Sequence, residues 1–431
     1  MSGLNTTSSS SPGFSQSRWV QLVIGIICMA MIANLQYSWT LFVNPMAAAH
    51  QWSRAEIQVA FSIFVLTETW LVPLEGWLVD RFGPRPVVMV GGVLCALGWV
   101  MNSMVDTIAL LYFAAIVTGV GAGCVYGAAV GNALKLFPDK RGLAAGLTAA
   151  GFGSGAALTV IPIASMIRDS GYQAAFFNFG IGQGVAICVL GLFLIKPVVK
   201  AGLKIPARTI QAKHDTTTGA MLRTPLFWLI YVIFVAVAAG GLMATAQLAP
   251  IAKDYGIANN PVAIFGTMLP LLTLTLSIDN LANGFTRPLC GFISDWIGRE
   301  NTMLLVFIGE GLALLGLNAY GHTVAGFLIF APMVFLFWGE IFSIFPSICA
   351  DTFGAKYATA NAGALYTAKG TASLLVPLAS VLAKNHDWNS VFLIAASLAI
   401  AAGLVSMFVL KPMRQRWIAQ THAPIPASVA A

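Results

Sequence analysis

The sequence predicts an all-α membrane protein of twelve transmembrane helices arranged as two pseudo-symmetric six-helix bundles. Three observations predict it. Of 431 residues, 58% are hydrophobic and only 9% charged, where a soluble domain carries about 25% charged residues. Apolar stretches long enough to cross a bilayer core, about 20 residues each, recur along the whole chain, and one polar interruption divides them six from six. Backbone groups in lipid must be satisfied within their own segment, which makes the spans helical.

In chain order, the expected spans begin near Trp19, Ile57, Pro86, Ile108, Gly142, Gln173, Pro225, Ala263, Thr302, Val324, Ala360 and Trp388. Residues 1–18 form a Ser-rich tail without the basic-then-apolar layout of a cleaved signal. Residues 19–195 make the first bundle and 196–223 a solvated linker holding Lys196, Lys200, Lys204, Arg208, Lys213 and His214. Residues 224–410 make the second bundle, and 411–431 a closing tail.

The net charge of +7 is unevenly spread. Arg54, Arg168, Lys253 and Lys384 fall in outer segments, Arg287 and Lys369 within the membrane, and the rest of the 23 basic residues on the side of the tails and linker. This is the positive-inside pattern. It predicts a multi-pass protein of the cell inner (plasma) membrane with both termini cytoplasmic, and it accounts for the positive charge without nucleic acid. The expected partner is the lipid bilayer, and the chain is expected to act as a monomer. Cys28, Cys95, Cys124, Cys188, Cys290 and Cys349 all fall in expected spans, so no disulfide is expected. The five histidines are scattered without metal spacing, and no cofactor motif is present.

The two halves echo each other. GWLVDRFGPR at 76–85 is answered by GFISDWIGRE at 291–300, and FPDKRGLAAG at 137–146 by FGAKYATANAG at 353–363. Repeated six-helix halves place a substrate site near the midplane, between bundles that rock. The motif residues Gly76, Asp80, Arg81, Gly83 and Arg85, with a degenerate copy in Gly291, Asp295, Gly298 and Arg299, resemble the cytoplasmic signature of the major facilitator superfamily. Gly permits close helix approach, and Asp near a helix end can pair with Arg to hold one conformation.

Arg287 and Lys369 are the only basic residues deep inside apolar stretches. A charge there costs roughly 2.5–3.5 kcal/mol on insertion scales, which marks a functional site. Asn280, Asn283 and Arg287 recur at i, i+3 and i+7 on one face of the eighth span, with Gly284 and a kinking Pro288 beside them. Tyr366, Lys369 and Ser373 form a similar stripe in the eleventh. Gln36, Tyr37, Trp39, Gln58, Tyr126 and Trp338 add aromatic and amide groups in other spans, each serving helix packing equally well.

The segments NLQYSWTLFVNP (34–45), VYGAAVGNALKLFPDKRGLAAGLTAAGFG (125–153), MLRTPLFW (221–228), NLANGFTRPLCGFISDWIGR (280–299), FPSICADTFGAKY (345–357) and LYTAKGTAS (365–373) resemble the oxalate:formate antiporter family over nearly the whole chain. The resemblance implies that Arg287 and Lys369 are the two oxalate-binding cations. It also implies that Gln36, Tyr37, Gln58, Tyr126, Trp338 and Tyr366 line the pocket. The chain departs from the family at Phe152 and Phe342, where Tyr is expected, and at Tyr366, where Trp is expected.

Oxalate carries two negative charges, and Arg plus Lys supply two positive ones, a planar fork and a compact point charge. Glu68, Glu75, Asp279, Glu310 and Glu340 also fall in spans, and any of them could neutralise a cation as an ion pair. Glu340 is about 200° around the helix from both Trp338 and Phe342, which points it away from their shared face. Asp279 is roughly 80° from Arg287, which leaves pairing open. Two functions stay open: exchange of oxalate for formate, or proton-coupled transport of a monocarboxylate by the same fold. An enzyme is disfavoured, since no nucleophile with its base, metal cluster or phosphate loop is present. A sensor would need an output domain.

Overall fold

The computed structural model describes residues 17–137, 141–196, 212, 215–264, 266–354, 357–383 and 387–422. In the first half, α1 (Arg18–Tyr37) continues as α2 (Trp39–His50), and α3 (Arg54–Trp70) as α4 (Val72–Phe82). Helices α5 (Pro84–Asn102) and α6 (Ile108–Leu136) follow, then α7 (Arg141–Ser154), a 3₁₀ turn at Gly155–Leu158, α8 (Val160–Ser170) and α9 (Tyr172–Gly191). A short α10 (Thr218–Met221) precedes α11 (Pro225–Asp254), the hairpin β1 (Pro261–Ile264) and β2 (Thr267–Pro270), and α12 (Leu271–Ile297). The second half closes with α13 (Arg299–Tyr320), α14 (Val324–Trp338), α15 (Ile341–Phe353), α16 (Ala358–Ser373), α17 (Val376–Leu382), α18 (Asn389–Val405) and α19 (Lys411–His422).

Joined across their breaks, these helices make twelve passages among the described residues, six in each half. Eleven stretches are long and apolar enough to span a membrane; α12 has the length, 27 residues, but its polar stripe lowers its hydropathy. The packing repeats: α5 lies on α6 and α9, as α13 lies on α14 and α18. The turns that carry the repeated motif also match. Gly83 and Gly298 adopt φ of 88° and 94°, a conformation that glycine takes without strain.

The eighth passage departs from the sequence expectation. It begins at Leu271, not near Ala263, because Pro261–Ile264 and Thr267–Pro270 pair as antiparallel strands with Pro261 opposite Pro270. Gly266 at φ 80° makes the turn. An apolar run reads the same in a strand as in a helix, and only its prolines and glycine mark the difference.

The halves close on each other at the end opposite the motif turns. Arg54 grips Asp254 through two hydrogen bonds of 2.7 and 2.9 Å, and Trp388 Nε1 donates to the same carboxylate at 3.1 Å. Two prolines supply further contacts. Pro250 has no N–H for the carbonyl of Ala246, and Pro377 none for that of Ser373. Both freed oxygens are taken by α3 of the other half, Ala246 by Gln58 Nε2 at 2.7 Å and Ser373 by the Ser62 hydroxyl.

At the motif end, Arg299 donates from Nε to Asp351 at 3.1 Å, and Arg414 reaches Glu300 at 2.8 Å. Arg81 and Arg85 are exposed there. The side chains of Asp80 and Asp295 lie outside the described residues, as do residues 138–140 and 355–356 of the second repeated segment and the linker lysines from Lys200 onward.

Candidate substrate site

Two cations from different helices meet between the halves. Arg287 comes from α12 and Lys369 from α16, and both side chains are wholly buried. Phe342 and Phe152 bridge them. The Arg287 guanidinium carbon lies 4.3 Å from the Phe342 ring centre, and Lys369 Nζ lies 5.3 Å from that of Phe152 and 5.5 Å from that of Phe342. Phe152 belongs to the first half and Phe342 to the second, so each bundle gives one aromatic face to the same pair of charges.

Arg287 is held by groups of both halves. It donates to the carbonyl of Ala149 at 2.9 Å, to Tyr37 Oη at 3.0 Å and to Asn283 Oδ1 at 2.8 Å. Its Nε finds no acceptor. Small residues make the approach possible: a Cβ on Gly153 would lie 2.8 Å from both Arg287 Nε and Asn283 Oδ1. Helices α7 and α12 therefore cross at van der Waals contact, with the arginine in the crossing.

Lys369 donates to Glu68 Oε2 at 2.9 Å and contacts Tyr366 Oη at 3.3 Å. Glu68 is also wholly buried. Of the five membrane acids, this is the one that pairs with a cation, and its partner is 301 residues distant. Tyr366 stacks on Tyr126 with ring centres 5.2 Å apart, and Tyr126 meets Phe152 edge-on at 5.7 Å. Trp338 joins through Phe342, edge-on at 5.4 Å.

The structure thus brings together Arg287, Lys369, Tyr37, Tyr126 and Tyr366, with Trp338 one ring away. Gln58 is elsewhere: it accepts from Trp39 Nε1 at 3.2 Å and donates to Ala246, in the closure opposite the motif turns. Gln36 is buried with neither side-chain atom hydrogen-bonded. Asp279 has no hydrogen-bond partner on either oxygen and does not pair with Arg287. Glu340, at the break between α14 and α15, is likewise without a hydrogen-bond partner on either oxygen. Sequence reasoning did not assign Glu68 to Lys369, nor give Ala149 and Gly153 a part in the site. A helical wheel shows which face a residue occupies and not what stands opposite; Gly153 next to Phe152 was the available signal of a close crossing.

Residues 22–377 match the Major Facilitator Superfamily, a class of secondary transporters, and the twelve-passage bundle with charges buried between its halves is built accordingly. The chain is 37% identical over 414 residues to the oxalate:formate antiporter of Oxalobacter formigenes, covering 95% of each chain. It is 25% identical to the MFS-type transporter YhjX of Escherichia coli, covering 84% of this chain and 87% of that one. With human monocarboxylate transporter 11 the identity is 24%, covering 77% and 70%. The chain belongs to the oxalate:formate antiporter family of the major facilitator superfamily, and it is a transporter rather than an enzyme.

Proposed function

We propose that this protein exchanges small carboxylate anions across the inner membrane by alternating access, oxalate against formate, with Arg287 and Lys369 holding the substrate. One observation carries the proposal: two wholly buried cations stand on the same two phenylalanine rings, one ring from each half. An anion placed between them would be gripped by both bundles at once. Arg287 Nε, which lacks an acceptor, is a donor ready for a carboxylate oxygen. Tyr37, Tyr126 and Tyr366 supply hydroxyls near the charges, and Trp338 backs the wall.

Exchange follows from charge. Closing a site in which Arg287 has neutral acceptors but no carboxylate partner removes an uncompensated ion from water at a cost of several kcal/mol. A bound carboxylate offsets that cost, so the carrier rocks when loaded and stalls when empty. Closure opposite the motif turns rests on Arg54–Asp254 and the α3 contacts, and closure nearer the motif turns on the α7–α12 crossing. Charge asymmetry supports placing the motif turns and both termini in the cytoplasm. The similarity to the Oxalobacter formigenes antiporter supports oxalate and formate as the pair.

The test is uptake of labelled oxalate by proteoliposomes loaded with formate, with oxalate or with nothing. Uptake confined to loaded vesicles is expected. Uptake into empty vesicles driven by an alkaline interior would overturn exchange in favour of proton symport.

A further inference from the structure

Asn283 stands between the arginine of the site and the body of its own half. It lies about one helical turn before Arg287 on α12 and is wholly buried. Its Oδ1 accepts from Arg287 Nη2 at 2.8 Å and from Tyr37 Oη at 3.2 Å, while Nη2 also donates to Tyr37 Oη at 3.0 Å. The three groups close a triangle. A guanidinium offers only donors, so the amide turns its oxygen to Arg287 and its nitrogen away. That nitrogen reaches the carbonyl of Phe335 on α14 at 3.4 Å, which also takes the N–H of Gly339 at 3.1 Å. Gly339 packs directly on Asn283: a Cβ there would lie 2.6 Å from its carbonyl oxygen and 3.1 Å from Nδ2.

The partners of Arg287 divide by half. Ala149 on α7 and Tyr37 on α1 belong to the first half; Asn283 belongs to the second, as does the Phe342 ring. Alternating access parts the halves, so contacts across them break and re-form in each cycle. A hydrogen bond between residues four apart on one helix does not. The support of Arg287 by Asn283, and of Asn283 by Phe335 and Gly339, lies inside the second half and travels with it. Without that support, an arginine released by Ala149 and Tyr37 would regain its rotamers, and an anion would have to order it again on binding. Gly153 of α7 covers Arg287 Nε, which has no acceptor; as α7 withdraws, that edge faces the opening.

We propose that Asn283 is a positioning residue: it holds the guanidinium in place while the halves are apart, so that a carboxylate meets Nε and Nη1 already aimed. This role rests on the reading of Arg287 as a substrate cation. The effect of Asn283 on binding passes through Arg287, without contact between the amide and the anion.

The test is a double-mutant cycle on equilibrium binding of labelled oxalate to the purified full-length chain. Asn283→Leu keeps most of the volume and removes the acceptor. It should weaken binding about tenfold, the worth of one hydrogen bond to a charged group. In an Arg287→Gln background the same substitution should weaken the remaining binding by less than about twofold, because residues that act as one unit are not additive. Asn283→Ala, which adds no bulk at the Gly153 and Gly339 contacts, runs the same cycle should the leucine variant not fold. An equal loss in both backgrounds would show that Asn283 serves packing alone. Unchanged binding without the Arg287 substitution would remove its role outright. Both of these results leave Arg287 as a cation of the site. Undiminished binding by Arg287→Gln alone would overturn the reading of Arg287 and this inference with it.

Discussion

Replacing Arg54 by Gln should unlatch the end of the bundle opposite the motif turns. The guanidinium makes two hydrogen bonds to Asp254, at 2.7 and 2.9 Å, with side-chain exposures of 22% for Arg54 and 4% for Asp254. Hydrogen bonds to charged groups contribute about 1.5–3 kcal/mol, and solvent-exposed pairs only about 0.2–1 kcal/mol. The carboxylate is buried and the arginine a fifth exposed, which places this bidentate pair near 2 kcal/mol, as an order of magnitude. The pair joins α3 to the end of α11, so it exists only in conformations closed at that end. Its loss should therefore multiply the open-to-closed ratio there by about 30, since 1.4 kcal/mol is a factor of ten. The assay is the rate at which a thiol reagent modifies Cys introduced for Ala246 in a background without native cysteines. Ala246 is buried in this closure, so the rate follows the open population and should rise about 30-fold in Arg54→Gln. A rate within twofold of the parent would show that Arg54–Asp254 is not a latch, and that the freed carbonyls of Ala246 and Ser373 hold this end by themselves.

Gly153→Ala should cost stability and transport together. Its new methyl would lie 2.8 Å from Arg287 Nε, and overpacking of that kind typically costs about 1–3 kcal/mol. Thermal unfolding in detergent beside an uptake assay checks this, and an unaffected carrier would show that α7 and α12 can part freely. Phe342→Tyr adds a hydroxyl to a ring 4.3 Å from the Arg287 guanidinium and should change oxalate affinity by less than about tenfold, the worth of one modest hydrogen bond. Complete loss of transport would assign Phe342 to tight packing instead.

The fold was legible because lipid leaves the chain few choices: apolar length marked the twelve passages, and the polar interruption with the echoed motifs marked the two halves. What stayed hidden was local. The hairpin at 261–270 is as apolar as a span, and the breaks at Ser38, Leu71 and Gly339–Glu340 have no periodicity of their own. At the site, the stripes through Arg287 and Lys369 were visible on single helices, since i, i+3 and i+7 spacing is a property of one helix. The pairing of Lys369 with Glu68 was not, because it depends on how α3 lies on α16. The wheel angle that turns Glu340 away from Trp338 and Phe342 says nothing of which acid faces Lys369, and the ion pair forms with Glu68 on another helix. The family resemblance implies a pocket place for Gln58, while its residue type alone leaves packing equally open; its partner here, the carbonyl freed by Pro250, is set by a proline 192 positions further on.

The most direct test of the anion site is equilibrium binding of labelled oxalate to purified protein, comparing the unmodified chain with Arg287→Gln and Lys369→Gln. Truncating one partner of a buried charge pair costs about 2–5 kcal/mol, so each variant, once shown to be folded, should bind oxalate at least about 30-fold more weakly. Undiminished binding by either variant would contradict the assignment of Arg287 and Lys369 as the two cations that hold the substrate.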